Sequence, residues 1–600
     1  MSDAADRDEE LERRCAHLFP SRTAHQARTF RGMHSTDAVR MAAELVDGSS
    51  VVERLAAWRH EDNPHHGTRG GRPAVFSDRH VLILHMVHAI TGEPLLITAL
   101  TDTVHSRLNH ASSEILRLPQ SIEFDSHRRV YTNLRRAIRR MVDVIDSAPY
   151  STGRRLLPSE VEERRALRAQ HADVLAEKLR RTSWVINQLL HGTYLMLPAH
   201  VRDEWKGTIC VDGTAVPVWG KRGTPRNTGA NTDITQSPEF DAGWHVRQSD
   251  DHADNKRFSR TKDTFVWAYE ATIAVMSKDN STTGNFPPLA LALSVEKPAG
   301  RVAENAMVCV EEIVARNMPI NYFVGDRAYL PSSSAEKLQG PLKALGYKLI
   351  ADLKKTQLGI QDQHAGAVQV EGTWYCPSMP KALVNASIEY GKGKISDEVY
   401  QTQIDSRRAY QLQQKTKADH NGVVQMRCPA AGPSATVNCP LKPNTTDLGT
   451  PKLRTQIFDP PKYPDRICAN KESTAFGPET GLKHGQAVPY RSKEWHQLYH
   501  TPRNAIEGLN GIVKDEGHSA LGSTGRRRAR GYTMQWLYTA FLLSGTNIRL
   551  IDNFLAKAHR APAHTATVRL DRRRRRKTLT SYRQNPNAPP LVGPAAEANK

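Results

Sequence analysis

Ile209-Cys210-Val211-Asp212-Gly213 begins the part of the chain that decides the fold. Before this stretch, over residues 159–204, Arg- and Leu-rich sequence indicates helices. After Lys206-Gly207 the apolar residues form short runs, which are typical of buried strands. The sequence therefore changes from a helical region to a sheet, and Asp212 lies at the end of the first strand.

Five strands and one helix are predicted in the region that follows. The strands cover 208–211, 264–276, 289–295, 320–324 and 347–351, and the helix, 301–316, lies between the third strand and the fourth. Three strands, a helix and then alternating strands is the order of an RNase H-like α/β fold. We therefore predict an RNase H-like catalytic core with an inserted β-rich subdomain and a helical N-terminal region.

The chain is expected to form several units, because 600 residues exceed what one hydrophobic core usually organises. About 130 residues without clean periodicity are too many for a loop, which predicts the inserted subdomain. The predicted units are a flexible or short N-terminal segment (1–74), a helical region that is a candidate for DNA binding (75–205), the first part of the catalytic core (206–353), the inserted β-rich subdomain (354–490), the C-terminal catalytic helices (491–560) and a basic disordered tail (561–600).

Two further segments carry acidic residues in matching settings, Phe323-Val324-Gly325-Asp326-Arg327 and Arg503-Asn504-Ala505-Ile506-Glu507. In the predicted fold, Asp212 and Asp326 lie side by side at one edge of the sheet, and Glu507 stands on a helix. A single acid of this kind also fits a turn or a solvated helix position, but Mg²⁺ needs few carboxylates because it retains water and substrate oxygens. We predict that the three acids bind two Mg²⁺ or Mn²⁺ ions for phosphoryl transfer, with Asp212 bridging both.

The composition indicates a polyanionic partner. Lys and Arg outnumber Asp and Glu by 83 to 63, which gives a net charge of +20. Each phosphate that a basic residue neutralises releases counterions, so this excess favours binding to nucleic acid. The excess is concentrated in runs such as Arg526-Arg527-Arg528 and 572–577, although the second run also fits a solvated tail. We expect double-stranded DNA as the partner.

Neither a membrane nor an oxidising compartment is predicted. No stretch approaches the roughly 20 apolar residues that span a bilayer, and the first 14 residues are charged rather than signal-like. Seven cysteines in so long a chain do not make a disulfide framework. The expected location is the cytoplasm, in association with the nucleoid.

The helix that carries Glu507 resembles a known signature. Arg503, Glu507 and Lys514 match the spacing of the Tyr-Arg-Glu-Lys signature of DDE transposases of bacterial insertion sequences. Gly325-Asp326-Arg327-Ala328-Tyr329 looks like the second-acid motif of that family, and Val211-Asp212-Gly213-Thr214 looks like the first. The resemblance covers about residues 208–550, including an inserted β-rich region between the second acid and the third.

The resemblance implies a magnesium-dependent transposase that cleaves the ends of its element and joins them to target DNA. In that family the three acids bind the catalytic metals, which implies this role for Asp212, Asp326 and Glu507. It also implies that Arg503 and Lys514 contact terminal phosphates of the element. A homodimer on DNA is expected from the resemblance, because both ends are processed together.

One position departs from the signature. Its tyrosine should stand at position 500, where this chain has His500 with Tyr499 beside it. The imidazole can still donate to a phosphate or stack on a base, so His500 stays a candidate for DNA contact. The departure leaves two alternatives open, namely a domesticated DDE-type nuclease without mobility and a DNA-binding protein whose core is catalytically silent.

Three other regions are candidates for DNA contact. The helix predicted over 127–145 has apolar residues at helical spacing and arginines over much of the remainder, which fits a phosphate-binding face or an ordinary solvated one. Two helices near 77–90 and 98–108, separated by Gly92-Glu93-Pro94, fit a DNA-reading unit or simply two packed helices. Arg526, Arg527 and Arg528 follow the Glu507 helix closely and are predicted to contact phosphates.

Four of the seven cysteines fall in the predicted inserted subdomain, and three of these precede a proline. They are Cys376, Cys428, Cys439 and Cys468. Four thiolates can bind Zn²⁺ tetrahedrally and help a small subdomain to fold. None of the four forms the close Cys-x-x-Cys pair that makes a zinc prediction strong, so structural zinc and unpaired structural cysteines both stay open.

Overall fold

The computed structural model describes residues 32–64, 74–118, 126–150, 153–220, 236–247, 264–298, 300–443, 454–469 and 473–558. Within these ranges the chain is a mixed α/β protein. The predictions for residues 1–31 and for the basic tail 561–600, including its 572–577 run, lie outside the described residues.

Helices form the first third of the described chain. They are α1 Thr36–Gly48, α2 Val51–Asp62, α3 Asp78–Thr91, α4 Ile97–Ser106, α5 His110–Leu116, α6 His127–Asp143, α7 Pro158–Gln170, α8 Ala172–Leu195 and α9 Ala199–Arg202. On α6 the apolar stripe is buried while Arg128, Arg135 and Arg139 are exposed, as the amphipathic pattern predicts.

The helix α3 lies inside this region. Ser77 caps its first turn, and the helix ends before Gly92, whose φ of 72° a glycine adopts at little cost. Almost every residue of α3 is buried because its sequence is apolar on all faces. It packs against α1, α6 and the last helix, α17 (Tyr532–Ala558). Of the two interpretations of the α3–α4 pair, packed helices therefore fit the structure.

A six-stranded mixed sheet forms the middle of the chain. Its strands are β1 Ile209–Pro217, β2 Gly243–Arg247, β3 Thr264–Met276, β4 Ala290–Glu296, β5 Tyr322–Gly325 and β6 Lys348–Ala351. The order β4-β3-β1-β5-β6 places β1 at the centre, and β2 pairs with the first half of β3. The strand β3 is antiparallel to β1, β2 and β4, whereas β5 is parallel to β1 and β6 is parallel to β5.

Helices cover the sheet and complete one large core with it. The helix α10 (Val302–Val314) connects β4 to β5, and a π-helical turn (Ala335–Gln339) leads into α11 (Gly340–Ala344) before β6. The long helix α16 (Lys493–Lys514) contacts β1, β5 and β6, and a 3₁₀ turn (Thr524–Arg526) precedes α17. None of the described helices has both the length and the apolar character needed to cross a bilayer.

The segment between β6 and α16 contains short strands and short helices. The strands are β7 Ile360–His364, β8 Ala367–Val370, β9 Thr373–Tyr375, β10 Gln413–Gln414, β11 Val424–Arg427, β12 Val437–Asn438, β13 Thr455–Gln456 and β14 Thr474–Phe476. The helices are α12 Lys381–Val384, α13 Ala386–Gly391, α14 Asp397–Ser406 and α15 Arg466–Ala469, with 3₁₀ turns at Lys355–Gln357 and Arg407–Tyr410. The segment is therefore less purely β than predicted. Its helices were not predicted because helices this short show little periodicity. It has small cores of its own.

Candidate active site

Asp212 and Asp326 are neighbours because of the register of two parallel strands. In β1 and β5, Cys210 pairs with Val324 and Val211 pairs with Gly325. Each aspartate is the next residue after this last pair, and paired strands lie about 4.8 Å apart. The register is well determined, since a slip of one residue would turn buried side chains towards the opposite face. The two acids lie side by side, as predicted, and their role in metal binding stays a prediction. The predicted position of Asp212 at the end of its strand is wrong, because β1 continues to Pro217 through its pairing with β3.

Burial and charge repulsion both act on the carboxyl of Asp212. Burial raises its pKa to about 6, Arg503 lowers it and the neighbouring Asp326 raises it again. The Gly213 N–H donates to Asp212 Oδ1 at 2.9 Å, and the Ala328 N–H donates to Asp326 Oδ1 at 2.8 Å. A buried carboxyl with a raised pKa thus lies beside a second acid, which is the kind of environment found at functional sites.

The helix α16 brings the third acid to this edge. Arg503 and Glu507 are one helical turn apart and form an ion pair at 3.0 Å, while the same guanidinium lies 3.2 Å from Asp212 Oδ2. One guanidinium therefore spans the gap between the carboxylates of Asp212 and Glu507. The helix is held on the sheet by a buried face that consists of Trp495, Leu498, Pro502, Ile506, Leu509 and Val513.

Arg503 thus has protein partners in addition to the phosphate contact that was predicted for it. Burial lowers the pKa of Arg503, but Asp212, with Cys210 and Asp326, raises it well above the usual range. Lys514, the other residue of the signature, is half-buried in the last turn of α16. Contact of either residue with DNA stays a prediction.

The three acids form a donor set that suits a hard divalent cation. Their oxygens are more widely spaced than those of a closed site, since no three carboxylates among the described residues meet within 4.8 Å. Mg²⁺ and Mn²⁺ take carboxylate oxygens together with water, so two adjacent aspartates can begin a site. The side chain of Glu507 is 59% exposed and stands at the rim. The charge repulsion at Asp212 is what a cation between the aspartates would relieve.

Glycines allow the close packing behind the acids. A Cβ at Gly325 would lie 3.1 Å from the Cβ of Tyr329, which is buried. A Cβ at Gly213 would lie 2.3 Å from Glu270 Oε1 on β3. Both glycines occupy places in the two acid motifs where a larger residue would displace neighbouring side chains.

A further aspartate at this edge was missed by the sequence analysis. Asp352 follows β6, where Ala351 pairs with Gly325, so it is the next strand-end acid after Asp326. Asp352 accepts from Tyr490 Oη at 2.6 Å and pairs with Arg327 at 2.8 Å and Arg491 at 3.2 Å. The signal was available, since an aspartate also follows the fifth predicted strand, 347–351.

His500 and Tyr499, the two aromatic residues next to the signature's arginine, lie in different surroundings, and contact of His500 with DNA stays a prediction. His500 is exposed and stacks on His496, with ring centroids 5.4 Å apart. Tyr499 is half-buried and stacks on Trp495 at 4.7 Å. Burial raises the pKa of Tyr499, and nearby carboxylates, Asp326 among them, raise it further. Tyr499 therefore lies close to the acids, while His500 lies on the outer side of the helix.

Arg527 is a structural residue. Only 1% of it is exposed, and it donates to Gln535 Oε1 at 2.6 Å, to Pro217 O at 2.8 Å and to Leu521 O at 2.6 Å. The predicted contact of Arg527 with a phosphate is wrong, because its guanidinium is inside the core. There it connects β1, α17 and the loop between α16 and α17.

The other two arginines of this run are accessible to different degrees. Arg528 is exposed and lies over the ring of Trp219, with 4.6 Å between the guanidinium carbon and the ring centroid. Arg526 is half-buried and donates to the backbone carbonyl of Glu516 at 2.9 Å. Of the arginines in this run that are predicted to contact DNA, Arg528 is therefore the most accessible.

A second polar cluster lies among the N-terminal helices. His34, His88 and Glu93 are the one group of described residues whose three ligand atoms all lie within 4.8 Å of one another. Thr103 Oγ1 is 3.0 Å from His34 Nε2 and 2.8 Å from His88 Nε2, and Arg107 donates to both oxygens of Glu93. Burial lowers the pKa of both histidines to about 4. These groups already have partners, so the cluster is a buried polar network.

A scan against protein-family models gives no match, and a search of curated proteins gives none either. The case for a function therefore depends on the residues and the geometry of the site.

Proposed function

We propose that the protein is a DDE-type transposase that performs metal-dependent strand cleavage and strand transfer on double-stranded DNA. One observation carries this proposal. Asp212 and Asp326 are adjacent at the point where the parallel pairing of β1 and β5 ends, and Arg503 connects Asp212 to Glu507 on α16. Three acids and a cation from three separate parts of the chain converge at one edge of the sheet.

The strand order supports an RNase H-like core for this site. The first three strands of the predicted core, β1, β3 and β4, are consecutive antiparallel neighbours, and β5 and β6 extend the sheet on the other side of β1. The helix α10 lies between β4 and β5 in the chain. In this arrangement the parallel pairing of the central strand with β5 ends at the candidate site.

Each residue of the site has a distinct task in the proposed reaction. Asp212, Asp326 and Glu507 would hold two Mg²⁺ or Mn²⁺ ions, which supply charge neutralisation at the phosphate and activation of the attacking oxygen. Arg503 favours the ionised form of Asp212 and, as a planar cation beside the acids, can pair with a phosphate oxygen. Tyr329 and Gly325 pack behind Asp326 and keep the strand end in place.

Basic surfaces support DNA as the substrate. The net charge is +20, and α6 exposes Arg128, Arg135 and Arg139 on the side opposite its buried stripe. Exposed arginines bind phosphates without reading sequence, which suits an enzyme that must hold long DNA. Together with the resemblance to DDE transposases, this supports a homodimer that holds two DNA ends.

The test uses the full chain and a supercoiled plasmid that carries the genomic DNA flanking both sides of the gene. We expect wild-type protein to nick the plasmid at the flanks in the presence of Mg²⁺ or Mn²⁺ and to join the freed ends to a second plasmid, and Asp212→Ala to do neither. Cleavage without joining would favour the domesticated nuclease. Retarded migration of the DNA without any cleavage by wild-type protein would favour the catalytically silent DNA-binding protein and overturn the proposal.

A further inference from the structure

Four cysteines from separate elements converge in the segment between β6 and α16, and we call them the four-cysteine cluster. They are Cys376 after β9, Cys428 after β11, Cys439 after β12 and Cys468 in α15. Burial is the main reason that the pKa of Cys376 rises to about 12, and the other three thiols add to the rise. The same mutual effect connects Cys428, Cys439 and Cys468 with one another. Packing agrees with this, since Cys376, Cys428 and Cys439 belong to one small core and Cys468 belongs to a second core of the same segment.

Three members of the cluster stand at the first position of the same type of turn. In each, a Cys-Pro dipeptide begins the turn, and the N–H of the fourth residue donates to the carbonyl oxygen of the cysteine, at 3.1 Å for Cys376, 3.0 Å for Cys428 and 2.9 Å for Cys439. Proline suits the second position because its φ is fixed near the required value. The repeated turn presents three thiols in the same local geometry from three separate turns of the segment.

Backbone amides donate to the sulfur atoms of two of these turns. The N–H of Ser378 donates to the thiol of Cys376, and the N–H of Ala430 donates to the thiol of Cys428. Donors around a sulfur stabilise the thiolate form, and hydrogen bonds of this kind commonly surround metal ligands. A buried neutral thiol, in contrast, packs as an apolar group and has little need of such donors.

A buried cation lies beside the cluster. Lys442 is only 8% exposed, and it acts to lower the pKa of both Cys428 and Cys468. Four thiolates around Zn²⁺ carry a net negative charge, which a neighbouring ammonium group offsets.

We propose that the four-cysteine cluster binds one structural zinc ion that connects the turns of this segment. Zinc is the cation expected for four sulfur ligands in tetrahedral geometry. No three of these sulfur atoms all lie within 4.8 Å of one another in the structure, so binding draws the turns closer together around the ion. The local cores are small, and a metal therefore contributes much of the stability that packing cannot supply there.

Metal analysis of the full chain tests the site independently of any activity on DNA. After dialysis against metal-free buffer, we expect about one zinc ion per chain by mass spectrometry of the metal content. Cys376→Ser and Cys428→Ser are expected to reduce this to near zero, whereas Cys309→Ala, in the large core and outside the cluster, keeps it. Zinc that stays bound in both cluster variants would overturn the proposal.

Cobalt substitution keeps the test decisive when a variant fails to fold. Wild-type protein loaded with Co²⁺ is expected to show thiolate-to-cobalt absorption in the near ultraviolet and the visible bands of a tetrahedral ion. A wild-type protein that binds neither metal, or a cobalt spectrum without thiolate bands, contradicts the site. Loss of bound zinc in His88→Gln but not in Cys376→Ser would place the ion in the histidine network instead.

Discussion

Asp212 and Asp352 stand at equivalent points of the same sheet edge and have opposite surroundings. Asp352 accepts from Tyr490 and pairs with two arginines, so its charge is fully matched by donors. Asp212 shares one guanidinium with Glu507 and lies beside Asp326, and burial raises its pKa to about 6. The same local signal, an aspartate after a short run of buried apolar residues, thus gives a structural anchor in one case and an unbalanced acidic site in the other.

This difference indicates which acids can accept a cation. A carboxylate whose oxygens already bind three donors gains little from a metal ion, because those donors must first be removed. A carboxylate placed next to another acid gains directly, since the cation removes the repulsion between them. Asp212 and Asp326 are therefore better placed to bind a cation than Asp352 is.

The largest expected effect is on DNA cleavage. Asp326→Asn should reduce metal-dependent nicking by at least about 1000-fold, because a neutral amide cannot replace a carboxylate ligand. Asp352→Asn, measured in the same plasmid assay at a temperature where it is folded, should keep activity within about tenfold of wild type. Equal losses in both variants would remove the distinction between the two aspartates.

The second effect is on stability, and here the loss is expected at Asp352. Asp352→Asn should lower the free energy of unfolding by about 3 kcal/mol, because it removes a buried charge that pairs with the half-buried Arg491 and with Arg327 at the surface. Chemical denaturation measures this, with Asp37→Asn as the control, since the Asp37–Arg40 pair lies at the surface and should contribute less than about 1 kcal/mol. A loss at Asp352 no larger than that of the control would contradict its structural role.

The third effect is the pH dependence of stability. The pKa of Asp212 is raised from its ordinary value of 3.8 to about 6, so its contribution to stability is present at the lower pH and is lost as pH rises through about 6. The free energy of unfolding of Asp212→Asn, relative to that of wild type, should therefore rise by about 2 kcal/mol between pH 3.8 and pH 6. Unfolding curves of both proteins in metal-free buffer across this range provide the measurement, and parallel curves would show that Asp212 is not under this strain.

The smallest effect concerns the guanidinium between the acids. Arg503→Lys should lower the free energy of unfolding by about 1 kcal/mol, because an ammonium group cannot span two carboxylates as a planar fork does. Arg40→Lys, in an exposed pair, should change it by less than about 0.5 kcal/mol. Indistinguishable denaturation midpoints for the two variants would mean that the bridge does not stabilise the fold.

The sheet was largely predictable, because buried strands leave a continuous apolar run in the sequence. β3 has the predicted bounds, 264–276, and the parallel register of β1 and β5 follows from two such runs. The extension of β1 to Pro217 was not predictable, since it depends on pairing with β3 rather than on its own composition. Nor were the short helices of the inserted segment, which have too few turns to show a period.

The partners of individual charged residues were the hardest part to foresee. Arg527 sits in a basic run that indicates DNA, yet its partners, Pro217 and Gln535, come from other elements. Asp352 was missed because no flanking motif marks it, although it follows a strand as Asp326 does. The spacing of Arg503 and Glu507 predicted a shared helical face, but not the ion pair with Asp212.

Cleavage of the protein chain by bound Fe²⁺ tests the central claim most directly. Iron that replaces Mg²⁺ produces hydroxyl radicals in the presence of peroxide and ascorbate, and these cut the backbone next to the site. We predict fragments that end near Asp212, Asp326 and Glu507, suppressed by excess Mg²⁺ and absent in the Asp212→Asn, Asp326→Asn double variant. Cuts that persist in that variant, or that occur only near Asp352 or His88, would contradict a divalent-metal site at this edge of the sheet.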